Sequence, residues 1–210
     1  GVLVHNDKYH LEAWRLFCER KGKNVSYDQI QRLFGNTNQQ FLRVLIDPDI
    51  TEADIALFAV EKEIIYRDLF DKHIEPAEGL LPFLDELLRH NVPMAVATSA
   101  PTANLNFVLD RCNLRGYFKV LVDETFVTHG KPDPEIYLKT AGFLELEPSQ
   151  CIVIEDSLFG IEAAQRARMQ TIGLASTLPL EKLHHASMVI RTFHEITYEK
   201  VTNLMDSKTV

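Results

Sequence analysis

The chain has only three cysteines in 210 residues, Cys18, Cys112 and Cys151. They are odd in number, widely spaced and set in apolar stretches, which excludes a disulfide framework and a cysteine-rich zinc site. A reducing, cytoplasmic setting fits that usage best. Positive charge is also scarce: 22 Lys and Arg against 30 Asp and Glu leave a formal net charge of −8. Nucleic acids and anionic membrane surfaces are usually met by clustered basic residues, so neither is expected as a partner. No apolar run approaches the roughly 20 residues of a membrane span, and no basic-then-apolar leader opens the chain. Internal repeats, low-complexity tracts and Pro/Gly/Ser linkers are missing as well. With 46% hydrophobic and 25% charged residues, the composition is that of an ordinary globular chain with room for one sizeable core and an inserted subdomain.

Several catalytic signatures are lacking too. There is no GxSxG elbow, no P-loop, no CxxC and no His–Glu–His metalloprotease spacing, so nothing offers an obvious nucleophile. The chain also opens on Gly1 instead of Met, and GVLVHNDKYH runs straight from a short apolar piece into a helix. The expectation is that further sequence precedes Gly1.

The residues that are present fall into two textures. From Asn6 to about His73 the apolar spacing is helical, with Tyr9, Leu11, Trp14, Leu16 and Phe17 leading and further stretches at 41–45 and 55–66. From about Pro76, helices alternate with short apolar strands. Leu80, Phe83, Leu84, Leu87 and Leu88 form a helical stripe before VPMAVA (92–97); Leu105, Val108, Leu109 and Cys112 form another before KVLV (119–122). A helix after Pro134, the strand CIVI (151–154), a helix over about 157–168 and a last strand, TIGL (171–174), complete the series. Buried strands alternating with helices predict an α/β fold with one doubly wound, Rossmann-like parallel sheet. The predicted domains are a core of residues 1–5 and 76–210 and a helical subdomain of residues 6–75, with hinges near 5–10 and 74–78.

In such sheets ligands bind beyond the carboxyl ends of the strands, so the residues just after each strand matter most. Thr98 and Ser99 come after the first, next to a helix starting near Thr102, which makes an anion site; the plainer alternative is that they merely open that helix. Lys131 stands in Lys131-Pro132-Asp133-Pro134, a stiff loop that would position its cation, although most lysines are simply solvated. Glu155 and Asp156 come after CIVI as adjacent acids, a pair suited to magnesium or, alternatively, to the start of the next helix. A hydroxyl, a lysine and an acidic pair after successive strands on one rim are the parts that phosphoryl transfer needs. His184-His185 look like a metal pair but read as surface, and Trp14 reads as core of the helical region.

The ordered set Thr98, GKPDPEIY and IVIEDSLFGIEAA resembles the haloacid dehalogenase superfamily, in particular its beta-phosphoglucomutase-like phosphatase branch. The resemblance covers nearly the whole chain. It implies a magnesium-dependent phosphatase acting on a small, sugar-phosphate-like metabolite through an aspartyl-phosphate. Gly1 matches the glycine directly after the family's Asp-x-Asp pair, so the nucleophile and the general acid would lie upstream, on what should be the central strand. The resemblance further implies that Asp156 is a metal ligand, with Glu155 as ligand or support. Thr98, with Ser99 beside it, would bind phosphate, and Lys131 would stabilise phosphate and nucleophile. The helical region resembles the family's cap, in which His10 would be a hinge residue or a packing histidine. Lys62 would line the closed cap or, by the safer default, be exposed. In the loop Gly35-Asn36-Thr37-Asn38, Asn38 stands where mutase members carry an arginine for a second phosphate. Ala100-Pro101-Thr102 replaces a Ser-Lys-Asn type sequence. Both departures favour a monophosphate hydrolase over a phosphosugar mutase; a third reading is a catalytically inactive phosphate-binding or interaction protein. Carbon–halogen hydrolysis is disfavoured, since it leaves the acidic pair unexplained. A monomer or weak dimer is expected.

Overall fold

The computed structural model describes residues 1–33 and 37–206, which form two compact units: Gly1–His5 with Glu75–Val210, and Asn6–Ile74. The smaller unit is built from α1 (Asp7–Arg20), α2 (Tyr27–Gln31), α3 (Asn38–Leu45) and α4 (Glu52–Phe70). Its helix starts are written locally. Ser26 with Gln29 and Thr37 with Gln40 make reciprocal capping boxes, and Thr51 accepts from the Asp54 amide. α1 buries Ala13, Trp14, Phe17 and Cys18, and Trp14 stacks on Phe41 at 4.6 Å, so its core assignment holds.

Lys62 corrects the expectation of an exposed side chain: it is 2% exposed. The stripe that buries Ile55, Tyr66 and Phe70 on α4 also passes through position 62, so the lysine must be matched inside. Its Nζ lies 2.5 Å from Glu63 Oε1, 3.4 Å from His10 Nδ1 and 5.0 Å from the centre of the Trp14 ring. Asn38 donates to the same Glu63 oxygen at 3.0 Å, Asn6 donates to the Tyr66 hydroxyl at 2.8 Å, and His10 stacks on Tyr66 at 3.8 Å. Burial, reinforced by the Lys62 ammonium, pushes His10 down to about 3, and burial likewise lowers Lys62.

The larger unit continues with α5 (Leu80–Arg89), β1 (Ala95–Ala97), α6 (Thr102–Arg111), β2 (Val120–Val122), α7 (Glu135–Leu144), β3 (Ile152–Glu155), α8 (Leu158–Arg166), β4 (Gln170–Leu174), β5 (Met188–Ile190) and α9 (Tyr198–Asp206). All described pairings are parallel. β1 pairs with β2, placing Ala97 opposite Val122, and β4 lies between β3 and β5, with Glu155 opposite Gly173 and Leu174 opposite Ile190.

The alternation of helix and strand and the parallel pairing are as expected; among the described residues the strands pair as β1–β2 and as β3–β4–β5. The series also does not end with TIGL, since β5 comes after it, and β3 runs on to include Glu155 as its last residue. On α5, Leu80, Phe83, Leu84 and Leu87 are buried, whereas Leu88 is exposed. A core of Val122, Ile136, Tyr137, Ala141, Ala163, Ala164, Ala167 and Met169 packs beneath the strands. No helix of the described residues is long and apolar enough to cross a membrane.

Gly79 precedes α5 in a left-handed conformation (φ +77°), and a Cβ there would lie 2.6 Å from the His194 amide nitrogen. Strain and overlap together predict that Gly79→Ala destabilises the protein by about 2–3 kcal/mol, measured by urea unfolding. In the helical unit, the folded state keeps His10 neutral down to about 3, while the unfolded chain protonates it near 6.5. Its contribution is therefore fully present above pH 6.5 and is lost as pH falls from 6.5 towards 3. A His10→Gln variant should lose stability less steeply across that window than the parent, again by urea unfolding at each pH.

Candidate functional site

At the end of β1, Thr98 extends the ladder by one residue, its amide donating to the Val122 carbonyl at 2.9 Å. Its Oγ1 accepts from the Ala100 amide at 3.1 Å, which leaves the hydroxyl proton available to an outside acceptor. Ser99 is exposed. α6 then begins at Thr102 behind Pro101, which supplies no side-chain cap, so its first amides remain open to an anion.

At the end of β3 the two adjacent acids take different directions. Glu155 is 6% exposed and turns inward. Its Oε1 accepts from Lys131 Nζ at 2.5 Å and the Tyr137 hydroxyl at 3.1 Å; its Oε2 accepts from the Asp156 amide at 2.8 Å, the Ser157 amide at 2.9 Å and Ser157 Oγ at 3.0 Å. Ser157 Oγ also accepts from the Gly160 amide and so caps α8. Gly160 approaches so closely that any Cβ would collide with the Glu155 carboxylate. Leu158 and Phe159, between Ser157 and Gly160, are exposed.

Burial by itself would raise the Glu155 carboxyl, but Lys131 and the Ser157 donors outweigh it and hold the group well below the usual carboxylate range. Burial would likewise lower Lys131, and the Glu155 charge overrides it, raising the ammonium above its ordinary value. Tyr137 is pushed up, chiefly by burial. Lys131 also lies 4.8 Å from the centre of the Tyr137 ring. Its loop is braced by Glu135, which accepts from the Thr128 and His129 amides at 3.0 and 2.8 Å, and by Asp133, which accepts from the Glu135 amide at 2.9 Å.

Asp156, in contrast, keeps 13% of its side chain exposed. Its Oδ2 accepts from Thr177 Oγ1 at 2.5 Å and lies 3.4 Å from the backbone nitrogen of Gly1. Ser176 Oγ donates to the Gly1 carbonyl at 3.0 Å, fastening that segment to the loop after β4. A hard carboxylate oxygen beside a hydroxyl, at an accessible strand end, is a donor set that suits magnesium and not a soft metal.

Lys131, Glu155 and Asp156 are thus joined by direct bonds, and Thr98 stands at the end of β1. His10, Asn38 and Lys62 lie in the helical unit; Gly35 and Asn36 of the expected cap loop lie outside the described residues. Tyr137, Ser157 and Thr177 were not expected from the sequence. Tyr137 was accessible in principle, one helical turn after Pro134 and within reach of Lys131. Thr177 was not, because only the loop after β4 brings it to Asp156. His184 and His185 are exposed, but their ring centres lie 3.9 Å apart, so they face each other and do not diverge as helix neighbours would.

Residues 1–174 match the family model described as haloacid dehalogenase-like hydrolase. Among curated proteins, the chain is 28% identical over 209 residues to 5-amino-6-(5-phospho-D-ribitylamino)uracil phosphatase, chloroplastic, of Arabidopsis thaliana, covering 99% of this chain and 56% of that protein. The chain therefore spans just over half the length of that relative. It is 29% identical to the beta-phosphoglucomutase of Bacillus subtilis, over 95% of this chain and 89% of that one. A solved structure of a family IA, variant 3 HAD hydrolase from Entamoeba histolytica superposes with a TM-score of 0.91 at 31% identity, over 98% of this chain and 96% of that one. With the family model spanning most of the sequence and the acid–lysine constellation at the ends of parallel strands, the chain belongs to the haloacid dehalogenase-like hydrolases.

Proposed function

We propose that the protein is a magnesium-dependent phosphatase of a small phosphorylated metabolite, sugar-phosphate-like in character. The observation that carries this reading is the Lys131–Glu155–Asp156 arrangement, which leaves one acid available at the rim and holds a buried cation beside it. Asp156 would hold the metal, which when bound supplies positive charge to offset that of the phosphoryl group. Glu155, with both oxygens engaged, orients Asp156 through its amide instead of binding the ion.

The remaining work falls to the chain's own groups. The Thr98 hydroxyl and the open α6 amides would hold phosphoryl oxygens, and the ammonium of Lys131 has protons left after its bond to Glu155 to do the same. By the family resemblance, an aspartate standing before the glycine matched by Gly1 would be the attacking group. The helical unit would act as a cap that screens the site and selects substrate.

Similarity to the Bacillus mutase keeps a mutase as the second reading, but two residues speak for hydrolysis of a monophosphate. Asn38 is engaged by Glu63, and Thr102 is engaged by Asp123. The two activities separate by product: inorganic phosphate for the first, an isomeric sugar phosphate primed by a bisphosphate for the second.

The full-length protein with magnesium should release phosphate from members of a sugar-phosphate panel. A chelator should stop the release, and Asp156→Asn should lower it about a thousandfold while leaving stability within about 1 kcal/mol. Phosphate release that persists in chelator and in Asp156→Ala would sink the reading. Lys131→Ala should behave differently. It leaves Glu155 buried without its counter-charge, so an activity loss of about a hundredfold or more should come with about 3–5 kcal/mol of destabilisation in urea.

A further inference from the structure

A second acid stands directly after a strand, and the proposed chemistry has not used it. Asp123 comes after β2 and is 3% exposed. Its Oδ2 accepts from Thr102 Oγ1 at 2.5 Å, and its Oδ1 accepts from the Thr125 amide at 2.9 Å and Thr125 Oγ1 at 2.6 Å. These partners are neutral donors, so the carboxylate is held by hydrogen bonds to its charge, which are stronger than neutral ones. Such a group is costly to bury unless its donors are fixed in place.

The location of those donors gives the bond its meaning. The loop of residues 98–101 leaves β1 and enters α6. At its start, the Thr98 amide donates to the Val122 carbonyl at 2.9 Å. At its end, Thr102 donates to Asp123. Two consecutive residues of one strand end therefore grip both ends of the same four-residue loop. Between the grips lie the Thr98 hydroxyl, oriented by the Ala100 amide, and Pro101, which leaves the first amides of α6 uncapped. Thr102 is itself the first residue of α6, so its bond to Asp123 sets where that helix, and its positive end, begins.

We propose that Asp123 is a positioning residue: through Thr102 it fixes the hydroxyl and amide donors of the 98–102 segment at the spacing that a phosphoryl group requires. This rests on the phosphatase reading above. Asp123 touches no substrate in this role; it acts through the loop.

The test uses Thr102→Val in the full-length protein, which cuts one bond and spares the other two made by Asp123. Kinetics on a phosphomonoester that the parent hydrolyses should show kcat/KM reduced about ten- to a hundredfold, the cost of a slightly misplaced group. Inhibition by inorganic phosphate should weaken by a similar factor. Tm should fall only about 2–4 °C, as for one lost hydrogen bond in a protein of this size. Thr102→Ser, which keeps the hydroxyl, should restore the kinetics. A Thr102→Val protein with unchanged kcat/KM and phosphate inhibition, whatever its Tm, overturns the proposal. Should the parent hydrolyse no ester, the phosphatase reading fails on its own. Calorimetric binding of inorganic phosphate then decides the matter here: weaker binding by Thr102→Val sustains the role of Asp123, and equal binding, or none by either protein, removes it.

Discussion

A carboxylate withdrawn from water must find charge and donors inside the protein, and much of the candidate site is arranged around the one that does so at Glu155. Its bonds arrive from the Lys131 loop, from Tyr137 on α7, and from the chain just beyond its own strand, where Ser157 in turn starts α8. Each partner is immobilised by meeting that demand. The lysine, which would otherwise sample solvent on a flexible stem, is held at a fixed point, and the loop delivering it is braced separately by Glu135. Electrostatic need thus performs what packing does elsewhere: it chooses one geometry from many.

The pairing also explains how two adjacent acids coexist. Side by side in sequence they would repel, but Lys131 compensates the inner one, and the outer one keeps access to the rim. A strand's alternation provides the divergence without further design, because Glu155 is the last residue of β3 and Asp156 the first beyond it. A comparable economy exists in the helical unit, where Lys62 and Glu63 are both buried and bonded to each other within a cluster that also holds His10 and Asn38.

Much of this was legible in the sequence. Helix and strand alternation, the helical character of residues 6–73 and the acid, lysine and hydroxyl positions emerge from periodicity and from attention to strand ends. The features that escaped did so for physical reasons. β5 is no shorter than β1 or β2, but only a short 3-10 turn at Leu180–Leu183 leads into it, so no helical stripe framed Met188–Ile190 as the next strand of the alternation. Lys62 looked exposed because lysine usually is, although its place on the Ile55–Tyr66–Phe70 stripe already argued otherwise. Asp123 occupies the same kind of strand-end position as Thr98 and Glu155, yet with no cation beside it in sequence it resembles any surface acid. Thr177 is separated from Asp156 by a full helix and strand, and only the folded chain brings the two together.

The close approach of Gly160 to Glu155 has a consequence for how such a protein can diversify. Five positions apart, the two are locked: no side chain can be added at one without displacing the carboxylate of the other. Leu158 and Phe159, enclosed by that lock, project into solvent and answer to neither. The site therefore carries, between Ser157 and Gly160, two exposed positions that can change in size and polarity at little cost to the frame. Novelty can be written beside the chemistry without rewriting the chemistry itself.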